Sequence, residues 1–125
     1  MTSITESQNL GDILKYEAPN LYSRDRVTVA AGQTLVLGAV VGIEAATNKV
    51  VHLDPAATDG SEIAAGVMAA DVDAAVADRT DGIVVSRHAI VADHALIWPV
   101  GITPAEKAAA KLQLKAMGIL VRVAV

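Results

Sequence analysis

Three histidines are the residues of this sequence best suited to chemistry. His52 and His94 lie beside Asp54 and Asp93, and imidazole with carboxylate is a donor set for zinc or iron. No HExxH-like spacing is present, and His52 lies more than 30 residues from His88 and His94. We therefore expect no metal site, no cofactor and no catalytic residue. A small metal-binding β-rich enzyme is kept as a less favoured alternative.

Other residues with catalytic potential are poorly spaced. Ser86 and His88 on one strand face would sit ~6.6 Å apart, whereas a nucleophile and its base need about 2.6–3.2 Å. The aspartates between residues 71 and 81 fit a solvated face better than a glycosidase pair, which needs one carboxyl group in an apolar pocket. No glycine-rich phosphate loop occurs. The sequence predicts that this protein is not an enzyme.

Charge and hydropathy limit the partners. The net charge is −4, and Asp54 to Asp81 holds seven acidic residues and one basic residue, Arg79, so we expect no nucleic-acid partner. The longest uncharged run, Val27 to Ile43, has 17 residues, short of the roughly 20 that span a bilayer. The first residues lack a signal-peptide pattern, and no cysteine is present. We expect a soluble protein with no membrane partner.

The apolar residues are numerous but small. The chain of 125 residues has 24 Ala and 17 Val, no Phe, and only Tyr16, Tyr22 and Trp98 as aromatic residues. Large aromatic side chains normally dominate core and interface energetics. A single domain with a core of small aliphatic residues is expected to gain stability from oligomerisation.

Residues 1–26 differ in character from the rest. They are polar and of mixed charge, and their apolar residues are singly spaced, which suggests either a disordered terminus or an arm that pairs with another chain. We favour the arm, with residues 27–125 as a β-rich body. Alternating and clustered apolar residues predict strands at 26–29, 35–37, 40–44, 49–53, 63–71, 82–88, 89–97 and 118–121, with glycines 38 and 42 at strand ends. The pattern of residues 71–81 fits either a helix or an edge strand.

One helix is well marked. Thr103 and Glu106 form a capping box around Pro104, and Gly118 ends the helix. We expect its sheet-facing side to be Ala105, Ala108, Ala109, Leu112 and Ala116. A second apolar row, Ala110, Leu114 and Met117, either contacts another subunit or is a tolerated surface feature with Met117 tucked under the helix end.

The corner before this helix is Leu96-Ile97-Trp98-Pro99. Trp98 carries the largest apolar surface of the body, so we expect it to be mostly buried. An aromatic residue before proline raises the cis fraction of the bond, and between the two isomers we favour trans.

Several segments together resemble the head decoration (capsid-stabilising) proteins of tailed phages. They are residues 20–29, Asp59-Gly60 with residues 64–67, the Leu96–Pro99 corner, and the helix with its exit at Gly118-Ile119. The resemblance covers about residues 21–125. It implies a mainly β, β-clip-like body with one short C-terminal helix and an extended N-terminal arm.

The resemblance also implies a function. Proteins of this family bind the outside of the expanded head as homotrimers and brace it against the pressure of packaged DNA. Their arms become ordered by pairing with strands of the major capsid protein. This chain would therefore be made in the host cytoplasm and reside on the virion surface. The residues proposed to bind the capsid are Leu10, Ile13, Leu14, Tyr16, Leu21 and Tyr22; those proposed for the subunit interface are Trp98, Pro99, Ala110, Leu114 and Met117.

Two further alternatives remain at this point. One is a different virion component, from the tail or a spike, which would also be β-rich and oligomeric. The other is a biotinyl or lipoyl carrier domain, because Lys49 follows a Thr47-Asn48 turn. The Met-Lys-Met-like setting of carrier domains is absent.

Overall fold

The computed structural model describes residues 10–19 and 22–123 and confirms a mainly β fold with one long C-terminal helix. The helices are α1 (Leu10–Ile13) and α2 (Pro104–Ala116). The strands are β1 (Leu14–Glu17), β2 (Arg24–Val29), β3 (Gln33–Leu35), β4 (Val40–Ile43), β5 (Val50–His52), β6 (Gly66–Met68), β7 (Val72–Ala74), β8 (Arg79–Val85), β9 (Ala89–Ala92) and β10 (Ile119–Arg122).

Five strands close into a small barrel in the order β2-β5-β4-β6-β8. Strand β2 runs antiparallel to β8, with Arg24 opposite Val85, and Val29 also pairs with Val50 of β5. The interior is filled by short aliphatic side chains and Met68. The two-stranded β3–β7 sheet contributes Leu35, Val72 and Ala74 to the same cluster. Small side chains suit this barrel, because a barrel of few strands has a narrow interior.

A second sheet has the order β1-β9-β10. Strand β1 is antiparallel to β9, whereas β10 is parallel to it, with Val121 opposite Val91. A parallel pair needs a long crossover connection, and here that connection contains the corner and α2. Ala110 and Leu114 of α2 belong to the hydrophobic cluster that joins this sheet to the barrel.

The α2 boundaries agree with the sequence, but its orientation is the reverse of the prediction. The capping box of Thr103 and Glu106 forms, and Gly118 adopts φ +83°. Ala110 and Leu114 are fully buried, whereas Leu112 is 67% exposed and the alanines on its side are exposed. The Gln113 side chain accepts a hydrogen bond from the Ala64 N–H at 2.8 Å. We attribute the rotation to this bond and to the larger area that Leu114 and Met117 bury compared with alanines.

Several strand limits also differ from the prediction. Ile63 is exposed, and the strand expected at 63–71 is reduced to β6. Residues 71–81, for which the sequence allowed either a helix or an edge strand, contain β7 and the beginning of β8. The strand expected at 89–97 ends at Ala92, where a 3₁₀ turn of Asp93–Ala95 follows. The strand expected at 35–37 begins and ends earlier, as Gln33–Leu35, and pairs with β7. Alternation of apolar residues does not reveal these short turns.

Gly42 lies inside β4 and does not end the strand as predicted. A Cβ atom at this position would be 2.5 Å from the Ser61 carbonyl oxygen and 2.7 Å from the Ser61 Cα. Both contacts involve backbone, which cannot move aside easily. The glycine therefore lets the 54–61 loop pack directly against the barrel wall.

Candidate functional site

The described part of the N-terminal segment lies against the body. Ile13 is 1% exposed and sits in the main hydrophobic cluster, and Leu14 packs against that cluster. Strand β1 pairs with β9 through Leu14–Val91, Tyr16–Ile90 and Glu17–Ala89, with a register shift between the first two pairs. Tyr16 is 54% exposed on this strand. Within the described residues, β1 forms one edge of its sheet and has no strand on its outer side.

Buried Ser23 joins this segment to the barrel. Its hydroxyl donates to the His88 carbonyl at 2.8 Å and accepts from the Ala18 N–H at 2.9 Å. The Arg24 guanidinium donates two hydrogen bonds to the Glu17 carboxylate, at 2.7 and 2.6 Å. These bonds raise the pKa of Arg24 further. The end of β1 is thus tied to the start of β2 by one neutral and one ionic link.

A second polar cluster continues along β2. Arg87 donates to both carboxylate oxygens of Asp25 and, at 2.7 Å, to the Tyr22 carbonyl. The Ser86 hydroxyl donates to Asp25 at 2.7 Å. The hydrogen bonds from Arg87 and then Ser86 lower the pKa of Asp25. The Tyr22 ring lies 5.3 Å from the His88 ring and 5.3 Å below the Arg87 guanidinium carbon. Hydrogen bonds therefore hold the beginning of β2 against residues 86 and 87, which follow β8.

The structure places the described residues of the predicted capsid-binding set, whose contact with the capsid stays a prediction. Ile13 is engaged in the chain's own core, because its side chain fills the space between the sheet and the barrel. Leu10 and Leu14 are half-buried, and Tyr16 and Tyr22 are more exposed. Leu21 and residues 1–9 of the predicted arm lie outside the described residues. The available side chains of the segment are thus its tyrosines and the outer faces of Leu10 and Leu14.

The predicted subunit-interface residues divide in the same way. Ala110 and Leu114 are fully buried and Met117 packs on the same cluster, so this row supports the chain's own sheet. Trp98 is mostly buried, as predicted, and packs against that cluster while keeping part of its surface exposed. The peptide bond before Pro99 is trans, as favoured. The corner is held by the Ile97 N–H, which donates to the Gly38 carbonyl, and by the Ile97 carbonyl, which accepts from Val40.

The histidines are separate in the structure. The Nδ1–H of half-buried His52 donates to the Val40 carbonyl at 3.0 Å, and burial lowers the pKa of this imidazole. His88 sits in a turn at φ 46°, and His94 is exposed. Ser86 bonds to Asp25 and does not bond to His88. Across residues 10–19 and 22–123, no group of three or more His, Asp or Glu side chains is placed to hold a metal ion.

The structure also shows a feature that the sequence analysis missed. A groove of about 470 Å³ lies between α2 and β10, lined by Ala108, Lys111, Leu112, Lys115, Leu120, Val121 and Arg122. The i, i+4 spacing of the helix lysines together with Leu112 was the available signal. The groove was not predicted, because Leu112 was expected to face the sheet.

The fold and these surfaces define a small β-barrel module with an N-terminal strand at the edge of a second sheet. Within the described part of the chain, no helix is long and apolar enough to cross a membrane. The family model described as Bacteriophage lambda head decoration protein D matches residues 3–119. The chain belongs to this family, which supports a role in decorating the phage capsid and a location in the virion. A search of curated proteins finds no match.

Proposed function

We propose that this protein binds the outside of the expanded phage head as a homotrimer and stabilises the head against the pressure of packaged DNA. The observation that carries the proposal is the family match over residues 3–119. This match favours the head over a tail or spike location. Lys49, the residue that a carrier domain would need free, forms an ion pair with Asp78 at 2.6 Å.

The major capsid protein is the proposed partner, and the N-terminal segment is the proposed contact. Strand β1 lies at a sheet edge within the described residues, and an edge strand can pair with a strand of another chain through main-chain hydrogen bonds. Exposed Tyr16 and Tyr22 supply rigid side chains of large area. Leu10, Leu14 and Leu21 complete the proposed contact set, from which Ile13 is removed.

The trimer is proposed for a physical reason as well as by family. A trimer carries three N-terminal segments. Once one segment is bound to the head, the other two bind at high effective concentration, so weak single contacts together give tight binding. Trp98 and Pro99 remain proposed as subunit contacts, because the exposed remainder of a tryptophan can be buried against a neighbouring subunit.

The test is binding to expanded heads of the parent phage that lack this protein, measured by co-sedimentation. Removal of residues 1–20 is unsuitable, because it would remove Ile13 from the core. A chain shortened by residues 1–9 and a Tyr16→Ala variant are better, and both should keep the melting temperature within a few degrees.

We expect Tyr16→Ala to bind heads about tenfold more weakly or worse, since hot-spot aromatic residues often contribute more than 1.4 kcal/mol. The shortened chain, which loses the first part of the predicted arm, should also bind more weakly. Val76→Ala is the matched control, because Val76 is 97% exposed but lies far along the chain from the segment. Wild-type protein should also raise the temperature at which DNA-filled heads release their DNA. Failure of wild-type protein to bind heads would reject the proposed function.

A further inference from the structure

The groove between α2 and β10 is bounded on one side by a free strand edge. Within the described residues β10 pairs with β9 alone. The Ala89 N–H donates to the Gly118 carbonyl, so Gly118 and every second residue after it direct their backbone groups toward β9. Val121 lies between two of these residues, 120 and 122, and its backbone groups point the other way. Its N–H and C=O therefore point to the outer edge, where an added strand could bond to them.

The other wall of the groove is apolar and exposed. Leu112 is 67% exposed on α2 and faces the same space as Leu120 and Val121 of β10. Leu112 is the largest apolar side chain on the outer face of the helix, and nothing in the described chain covers it. A free strand edge beside an apolar wall is the arrangement that accepts an extended peptide, with backbone pairing on one side and side-chain contact on the other.

The rim of the groove is positively charged. Lys111, Lys115 and Arg122 line it, whereas the whole chain carries a net charge of −4. Lys111 forms an ion pair with Asp93 at 2.8 Å. Lys115 and Arg122 are exposed, and neither forms an ion pair with any residue in the described ranges. Charge complementarity therefore selects a segment with carboxylate side chains.

The position of β10 indicates which chain supplies this segment. Strand β10 is in the same sheet as β1, the proposed contact with the capsid protein, and occupies the opposite edge. Leu14 and Val121 both pair with Val91, so the beginning of β1 and the end of β10 lie at one end of the sheet. Antiparallel β10–β10 pairing of two copies would place Arg122 of both on one strand pair, and like charges across a strand pair are destabilising. Such a two-fold contact is also not one that the proposed three-fold assembly uses.

We propose that the α2–β10 groove binds an extended segment of the major capsid protein that carries apolar and acidic side chains and adds to β10 as a further strand. This proposal rests on the proposed function and adds a second contact surface, distinct from the N-terminal segment. The sheet would then meet the shell along both of its edges.

The charge arm of the test uses the double variant Lys115→Glu/Arg122→Glu with heads that lack the protein. Both side chains are exposed, so the variant should fold, and a thermal melt checks this. We expect affinity for the heads to fall at least tenfold at low salt and the dependence of binding on salt to become weaker. Lys107→Glu is the matched control on the same helix outside the groove, and it should stay within about twofold of wild type.

The backbone arm uses Val121→Pro, which removes the outward N–H and leaves the β9 pairing in place, a change that edge strands tolerate. Val121→Ala controls for the side chain. We expect the proline variant to bind heads less tightly than the alanine variant at equal melting temperature.

Each result has a defined meaning. Wild-type affinity in both groove variants, with binding still reduced by Tyr16→Ala, would overturn the groove proposal and leave the proposed function intact. A change in the number of copies in solution for Lys115→Glu/Arg122→Glu, measured by light scattering, would assign the groove to a subunit contact and also overturn it. Failure of wild-type protein to bind heads would reject the proposed function and with it this inference.

Discussion

At the scale of single residues, two glycines are required for different physical reasons. Gly42 is needed for space, because Ser61 backbone atoms occupy the region where its Cβ would lie. Gly32 is needed for conformation, because it adopts φ +90° while nothing lies within 4 Å of its Cβ position. The first constraint depends on contacts across the fold, whereas the second is local.

A comparison of alanine variants would separate these two effects. We expect Gly42→Ala to lower the free energy of unfolding by about 3 kcal/mol, because backbone must shift to admit the methyl group. Gly32→Ala should lower it by only about 1 kcal/mol, the cost of a left-handed non-glycine residue. Urea unfolding of the two variants and wild type measures both values. Equal losses would show that the loop 54–61 is not packed tightly against β4.

His52 makes stability depend on pH. Burial lowers its pKa in the folded state below the ordinary value, and the hydrogen bond to Val40 only partly opposes this. Between the folded pKa and about 6.5, the unfolded chain binds more protons, so stability rises with pH through that window. The contribution is present above pH 6.5 and is lost as the pH falls.

Urea unfolding at pH 5.0 and pH 7.5 tests this effect. Wild-type protein should lose more stability between pH 7.5 and 5.0 than His52→Asn, whose amide nitrogen can still donate to the Val40 carbonyl. Both proteins share every other titrating group, so the difference between their losses isolates the imidazole. An identical loss in both proteins would contradict the prediction.

At the scale of secondary structure, α2 shows what local sequence determines. Its ends were predicted correctly because Thr103, Pro104, Glu106 and Gly118 act through bonds and dihedral angles within a few residues. Its rotation was predicted wrongly because it depends on the Gln113 bond to Ala64, 49 residues away in sequence. Counting apolar residues favoured the alanine-rich side, although leucine and methionine bury more area.

Truncation of the two leucines of α2 tests its orientation. We expect Leu114→Ala to lower the free energy of unfolding by about 3 kcal/mol, because it leaves a cavity in the main cluster. Leu112→Ala should change it by less than about 0.5 kcal/mol, as is usual for exposed positions. The same substitution on one helix thus serves as its own control, and the opposite ranking would restore the predicted orientation.

The N-terminal segment shows the same limit of local information. Its singly spaced apolar residues predicted an arm, and they could not indicate that Ile13 fills the chain's own core. The bonds from Ser23 to His88 and from Arg87 to Asp25 join residues more than 60 positions apart. The β-rich body was predictable because alternation of apolar residues is a local pattern, whereas barrel closure and sheet order depend on pairing between distant strands.

At the scale of the whole molecule, the small-aliphatic core supports the proposed oligomer. The proposed trimer predicts a native mass of three times 12.9 kDa, measurable by native mass spectrometry. We expect its melting temperature to rise with protein concentration, because association stabilises folded chains by mass action. A concentration-independent melt together with the mass of one chain would contradict the trimer, and binding of single copies to heads would then be the quantity to measure.

Strand β1 and its partner β9 are separated by most of the chain, since Glu17 pairs with Ala89. During synthesis the N-terminal end leaves the ribosome first, and β1 has no partner until residues 89–92 follow. Barrel closure between β2 and β8 must likewise wait for Val85. Non-local pairing of this kind slows folding. During synthesis, β1, the strand proposed to bind the capsid, is therefore exposed for a period before it pairs with β9 of its own chain.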